Sequence, residues 1–143
     1  MLPELWGRCA WKFIHLITLN YPENPTKDDK ENYHTFFYSL QYVLPCDKCG
    51  QNLTKHLKKY PLTATALANR QNLIMWAINL HNIVNYYTGK RMLTYSEALT
   101  QLQKWSTSNK QITWKTSLII IVIIVVLCLL IWYYVKNRSG AKN

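Results

Sequence analysis

The chain has 143 residues, 17 Lys and Arg against 7 Asp and Glu, a formal net charge of +10 and 49% hydrophobic residues. That length supports one small core and excludes a second large domain, while the basic balance favours acidic partners, anionic membrane surfaces or phosphate-bearing cofactors. No zinc-finger or RNP-type motif occurs, so nucleic acid is not expected. The four cysteines, of which only Cys46 and Cys49 are neighbours, do not form the framework of a small secreted protein.

Met1-Leu2-Pro3-Glu4-Leu5-Trp6 carries an early acid and no basic stretch before a long apolar run, so it does not read as a signal peptide. From Glu4 to Asn20, Leu5, Cys9, Phe13, Leu16 and Leu19, with Trp11 and Ile14 beside them, predict a helix buried on one broad face. Tyr21-Pro22-Glu23-Asn24-Pro25 ends it. Thr26 then reads as an N-cap, with Asp29 at the third helical position. A second helix runs through Phe36, Phe37, Leu40 and Val43 to Leu44, where Pro45 forces the preceding residue out of the helical region. A short third helix starts at Cys46 and Cys49 and passes Leu53 and Leu57 to Tyr60, with Lys55, Lys58 and Lys59 outward. Asn69 to Tyr87, with Leu73, Trp76, Ala77, Leu80, Val84 and Tyr87 at helical spacing, forms the longest soluble helix and ends at Gly89. Thr94 or Ser96 caps a last helix bearing Ala98, Leu99, Leu102 and Trp105.

No stretch alternates with period two, so the expectation is an all-α domain, a compact bundle of four to five helices over 1–106. The polar stretch 107–115 reads as a linker. From Thr116 to Val135 no residue is charged, and about 20 residues at ~1.5 Å each reach the roughly 30 Å of a bilayer core. This predicts a transmembrane helix, with Trp114 at one end, Trp132, Tyr133 and Tyr134 at the other, and Lys115, Lys136 and Arg138 flanking. Residues 136–143 form a basic tail. Basic residues on both flanks leave the orientation open.

Three groups of residues carry chemistry. Cys46 and Cys49 follow Pro45 on the first turn of a helix, where orphan N–H groups and the helix dipole favour a thiolate, and Lys48 adds positive charge between the sulfurs. A lone Cys-x-x-Cys can still exchange electrons, bind metal or do neither. On the first helix, Trp11 and His15 share a face with Arg8 a turn earlier, which suits a planar, phosphate-bearing ligand or, more simply, a surface Arg with a core Trp and a bonded His. On the fourth, His81, Asn82 and Asn85 interrupt an apolar helix; a heterocycle such as adenine or isoalloxazine could pair them, as could capping or a wet face.

Together, Trp11-x-x-x-His15, Tyr42-x-x-x-Cys46-x-x-Cys49 and His81-Asn82-x-x-Asn85 with Gly89-Lys90 resemble the Erv/ALR-type FAD-linked sulfhydryl oxidases, over about Trp6 to Trp105. The short chain with its attached apolar segment is most similar to versions from large DNA viruses, which would set the anchor in a virion or host internal membrane. The resemblance implies a helical bundle holding FAD against the Cys-x-x-Cys. It implies that Arg8, Trp11 and His15 contact FAD from the first helix, that Tyr42 approaches the flavin, and that His81, Asn82, Asn85 and Lys90 bind from the fourth, with Gly7 and Trp105 as further contacts. It makes Cys49 the flavin-proximal sulfur and Cys46 the one that exchanges with substrate thiols, the electrons passing to FAD and then to O2 to give hydrogen peroxide. It also implies a homodimer through the first helices.

Two departures from the family pattern follow. Relatives with a second, shuttle Cys-x-x-Cys keep it on a flexible arm, whereas Cys9 lies in a helix and Cys128 in the apolar segment, so a separate protein dithiol or thioredoxin-like shuttle must deliver electrons. Relatives also bridge the positions occupied here by Ile78 and Tyr95, so the pocket should be held by packing and FAD. The competing readings are a thioredoxin-like enzyme, which needs a strand before its cysteines; a zinc module, with His34 and His56 as candidate ligands at no standard spacing; and a basic membrane-anchored interaction protein. No metal site is expected.

Overall fold

The computed structural model describes residues 1–140, with the backbone alone at 108–115, 135 and 137–140. Its elements are α1 (Pro3–Leu19), α2 (Lys27–Val43), α3 (Asp47–Lys59), α4 (Arg70–Tyr87) and α5 (Tyr95–Gly140), with no strand among the described residues. The all-α expectation holds. The chain divides into two compact units, Met1–Gln103 and Lys104 onward.

Local signals set the helix ends. Pro3 opens α1, where its missing N–H costs nothing. Thr26 and Asp29 form a reciprocal capping box on α2, and Leu44 before Pro45 is extended, which stops the helix. The Asn69 side chain accepts from Asn72 N–H at 2.9 Å to start α4, and Gly89 at φ 67° closes the turn that follows.

In the first unit α1 packs on α4 and α2 on α3. One core cluster gathers Ile14, Tyr21, Phe37, Leu62, Leu67 and Leu73, with Trp11, Phe36 and Trp76 packed on it. Tyr21, which sequence reading placed in a terminating turn, is fully buried and donates its hydroxyl to the Leu67 carbonyl at 2.9 Å. The Tyr21 carbonyl accepts from Arg70 Nε, and Arg70 also pairs with Glu23 at 2.9 Å, so the turn after α1 is tied to the start of α4. A second cluster, Leu53, Leu57 and Leu80, lies between α3 and α4 and again touches Trp11 and Trp76.

The buried face of α1 differs from the expected one. Ile14, His15 and Thr18 are buried, whereas Leu5 is 72% and Phe13 58% exposed and Cys9 is exposed. The helix carries two apolar stripes, and the one with Trp11 and His15 meets α4. Val43 and Tyr87, assigned to inward faces, are also exposed; each sits in the last turn of its helix.

The second unit is helical from Lys104 through 140, including 107–115, the stretch expected as a linker. That stretch contains neither proline nor glycine, and polar composition alone does not break a helix. Thr116–Tyr134, 19 residues, is long and apolar enough to cross a membrane and is exposed along its length. Lys136 Nζ lies 4.9 Å from the Trp132 ring, a cation over an aromatic face. The side chains of Trp114, Lys115 and Arg138, and residues 141–143 of the tail, lie outside the described residues.

Candidate active site

Cys46 and Cys49 form a disulfide. Pro45 and the extended Leu44 turn the chain so that Cys46 becomes the N-cap of α3, its Sγ accepting the Cys49 N–H at 3.2 Å. An N-cap is normally a Ser, Thr, Asp or Asn oxygen; here a sulfur takes the position, and any thiolate released there inherits that donor and the positive end of the helix. Both cysteines are half-buried, so they are reachable but not freely solvated.

Gly50 and its partners were missed by the sequence reading. Gly50 is buried, and a Cβ on it would stand 2.5 Å from the Gln41 carbonyl oxygen. The first turn of α3 therefore lies directly against the end of α2. Thr54 Oγ1 shares its proton between Gln41 Oε1 at 2.7 Å and the Gly50 carbonyl at 3.0 Å, and Gln41 Nε2 donates to the Tyr38 carbonyl at 2.8 Å. The available signal was a glycine inside a helical pattern, which is destabilising unless a close approach requires it.

The two polar groups read separately on the first and fourth helices form a single cluster. Trp11 stacks on His81 with ring centroids 4.0 Å apart and planes 7° apart. His15 Nε2 and His81 Nδ1 lie 3.0 Å apart in a hydrogen bond, one donating and the other accepting. Burial lowers the His15 pKa to about 4. Burial, then the charges of His15 and Lys90, lower that of His81 to about 3. Both imidazoles are neutral at pH 7. Trp11 also touches the Leu53, Leu57 and Leu80 cluster, so the helix bearing the disulfide and the imidazole pair rest on the same apolar packing.

The remaining candidates are placed differently. Arg8 is exposed, and nothing lies within 4 Å of a Cβ built on Gly7, so packing does not require glycine there. Tyr42 is 82% exposed at the end of α2. Asn85 is half-buried, its carbonyl accepting the Lys90 N–H at 2.8 Å. Asn82 bonds the backbone of Leu93 in both directions, at 2.9 Å each, so the loop after α4 is held by a side-chain amide as well as by packing. Trp105 falls in the second unit. Among the described residues no group of three or more His, Cys, Asp or Glu is placed to hold a metal.

These residues fit a flavin nucleotide. Trp11 stacked on His81 offers an aromatic pair, backed by the buried His15, with imidazole nitrogens able to donate or accept. Lys90 supplies a cation whose charge is felt at His81. Trp6 Nε1 and the Tyr95 hydroxyl, on segments bearing candidate residues, are buried polar atoms without a protein partner among the described residues.

Comparisons with known proteins agree with this geometry. A sequence profile of the Erv1 / Alr family matches residues 8–110. The chain is 54% identical over 111 residues to a probable FAD-linked sulfhydryl oxidase of Acanthamoeba polyphaga mimivirus, covering 78% of each. It is 33% identical over 84 residues to an FAD-linked sulfhydryl oxidase of Saccharomyces cerevisiae, which is 59% of this chain and 41% of that relative, so the match spans less than half of the yeast protein. The fold is similar to the crystal structure of the FAD binding domain of Erv1 from Saccharomyces cerevisiae, with a TM-score of 0.63 and 25% identity over 73% of this chain and 94% of that one. The matched family pattern covers most of the chain and all of the first unit beyond Gly7, including the disulfide and the imidazole cluster, and the chain therefore belongs to the Erv1/Alr family.

Proposed function

We infer that the protein is an FAD-linked thiol oxidase that makes disulfide bonds in a dithiol partner. The observation that carries this reading is the Cys46–Cys49 disulfide, capped on a helix start, in a chain of the Erv1/Alr family. A substrate thiolate attacks Cys46 Sγ; the new intermolecular S–S bond forms as the Cys46–Cys49 bond breaks, and the pair of electrons leaves on Cys49 as a thiolate. The second substrate thiolate attacks its own partner sulfur, forming the product disulfide and releasing Cys46. That sulfur then leaves as a thiolate facing the Cys49 N–H, which favours departure. The dithiol now holds the two electrons. FAD, when bound, supplies a two-electron acceptor that oxygen reoxidises with formation of hydrogen peroxide. Trp11, His15, His81, Asn82, Asn85 and Lys90 are the residues that would hold it, with Arg8, Tyr42 and Gly7 as further contacts.

The domain spans 1–106, followed by the connecting stretch 107–115, a membrane span at 116–135 and a basic tail. The apolar, uncharged Thr116–Tyr134 helix supports the anchor, in a virion or host internal membrane. The exposed stripe Leu5, Cys9 and Phe13 on α1 supports a homodimer through that helix. That Cys9 and Cys128 are free supports delivery of electrons by a separate dithiol protein or thioredoxin-like shuttle.

The test is oxygen uptake with dithiothreitol by the purified, yellow protein. Cys46→Ser and Cys49→Ser should each abolish uptake and keep the flavin spectrum. Full activity in either variant, or a colourless wild-type protein, would refute the reading.

A further inference from the structure

The loop between α4 and α5 leaves its helix at Gly89, φ 67°, and carries two adjacent exposed cations, Lys90 and Arg91. An exposed loop of this kind is ordinarily mobile, but three sets of bonds fix this one. At its start the Lys90 N–H donates to the Asn85 carbonyl at 2.8 Å. At its end Thr94 and Glu97 cap α5 reciprocally, the Thr94 N–H donating at 2.8 Å and the Glu97 N–H at 3.2 Å, while Arg91 donates to Glu97 at 2.9 Å. Between these, the Asn82 side chain reaches out from α4. Its Nδ2 donates to the Leu93 carbonyl and its Oδ1 accepts the Leu93 N–H, both at 2.9 Å. One side-chain amide thus satisfies both backbone groups of Leu93, as a neighbouring strand would. Of the two cations, Arg91 is committed to Glu97, while Lys90 is exposed and anchored through its N–H to the carbonyl of Asn85, a candidate site residue.

We propose that Asn82 is a positioning residue: by clamping Leu93 it holds the 88–94 loop, and with it Lys90, whose N–H is tied to Asn85, as the cation for an anionic part of the bound ligand. The proposal rests on the FAD reading above and deepens it. It also separates Asn82 from its neighbours in the His-Asn-x-x-Asn motif, because its acceptor oxygen and one amide hydrogen are engaged by the protein itself.

Two measurements on the full-length protein in detergent micelles test this. The first is hydrogen exchange of the Leu93 amide, which should speed up at least tenfold in Asn82→Ala while amides in the core of α4, such as Leu80, keep their protection. The second is FAD affinity, by flavin fluorescence, in Asn82→Ala, Lys90→Ala and the double variant. Each single change should weaken binding about tenfold, and the double should be no more than about twofold weaker than the worse single, because the two residues act through one interaction. Independent, multiplying effects would overturn the proposal, and so would unchanged Leu93 exchange. If Asn82→Ala loosens the whole fold, Asn82→Asp takes its place, keeping the acceptor and losing the donor; loss of protection throughout the fold in that variant too would make Asn82 a folding residue and overturn the proposal. A wild-type protein that binds no FAD would instead refute the oxidase reading and with it the ligand half of this one, leaving the Leu93 exchange result to judge the clamp.

Discussion

Acidification from pH 7 to pH 5 should destabilise this protein through one feature, the imidazole pair His15 and His81. His15 is 4% exposed and its Nε2 lies 3.0 Å from His81 Nδ1, with Trp11 stacked on the second ring. Burial holds the folded-state pKa of His15 near 4 and, with the charges of His15 and Lys90, that of His81 near 3, against 6.5 for a free imidazole. The folded values are depressed, so the unfolded chain binds more protons below pH 6.5, and stability present above that pH is lost as pH falls toward 4. Near pH 5.5 unfolding takes up almost two protons at these sites, a slope of roughly 2–3 kcal/mol per pH unit, and the loss between pH 7 and pH 5 sums to about 3–4 kcal/mol. Against a typical total of about 5–15 kcal/mol this is a large fraction. Burial and the Lys55 and Lys59 charges also lower the His56 pKa, which adds in the same direction. The assay is urea unfolding in half-unit pH steps at a fixed FAD concentration, for wild type and His81→Gln. The variant should lose about half of the slope whatever its absolute stability. A wild-type slope corresponding to less than one proton, or an unchanged slope in the variant, would refute the argument.

Three further outcomes are expected. Gly50→Ala sets a Cβ 2.5 Å from the Gln41 carbonyl oxygen and should cost about 1–3 kcal/mol in a melting curve, together with slower dithiothreitol turnover because the disulfide turn must shift. Gly7→Ala, where nothing lies within 4 Å, should instead raise stability by about 0.5–1 kcal/mol; a loss of FAD affinity in that variant would assign Gly7 to ligand approach. A chain ending after Lys110 lacks the exposed apolar helix Thr116–Tyr134 and should be soluble, still yellow and still active, whereas pelleting with membranes after a carbonate wash would contradict the anchor.

Elements whose cause is local were legible in the sequence. Thr26 with Asp29, Leu44 before Pro45, Gly89 and Thr94 act on backbone groups within four residues, so those helix ends could be read from spacing, whereas the end expected at 106 was not one, because no local breaker stands there. The Cys-x-x-Cys on a helix start is of the same kind, as is the uncharged run from Thr116, whose length alone suits a bilayer. The family motifs named His15 and His81, but only the fold could set them 3.0 Å apart, because the bond joins helices 66 positions apart in the chain. The buried stripe of α1 was misplaced, with Leu5, Cys9 and Phe13 expected inside: both stripes are apolar enough, and the choice belongs to α4, on which α1 packs. The family resemblance made Asn82 a ligand contact, and spacing could not reveal that its side chain also meets the Leu93 backbone. Periodicity reports which side chains share a face; what meets that face is fixed by long-range packing, and Gly50 against Gln41 shows how closely two helices must fit before an active-site turn takes its shape.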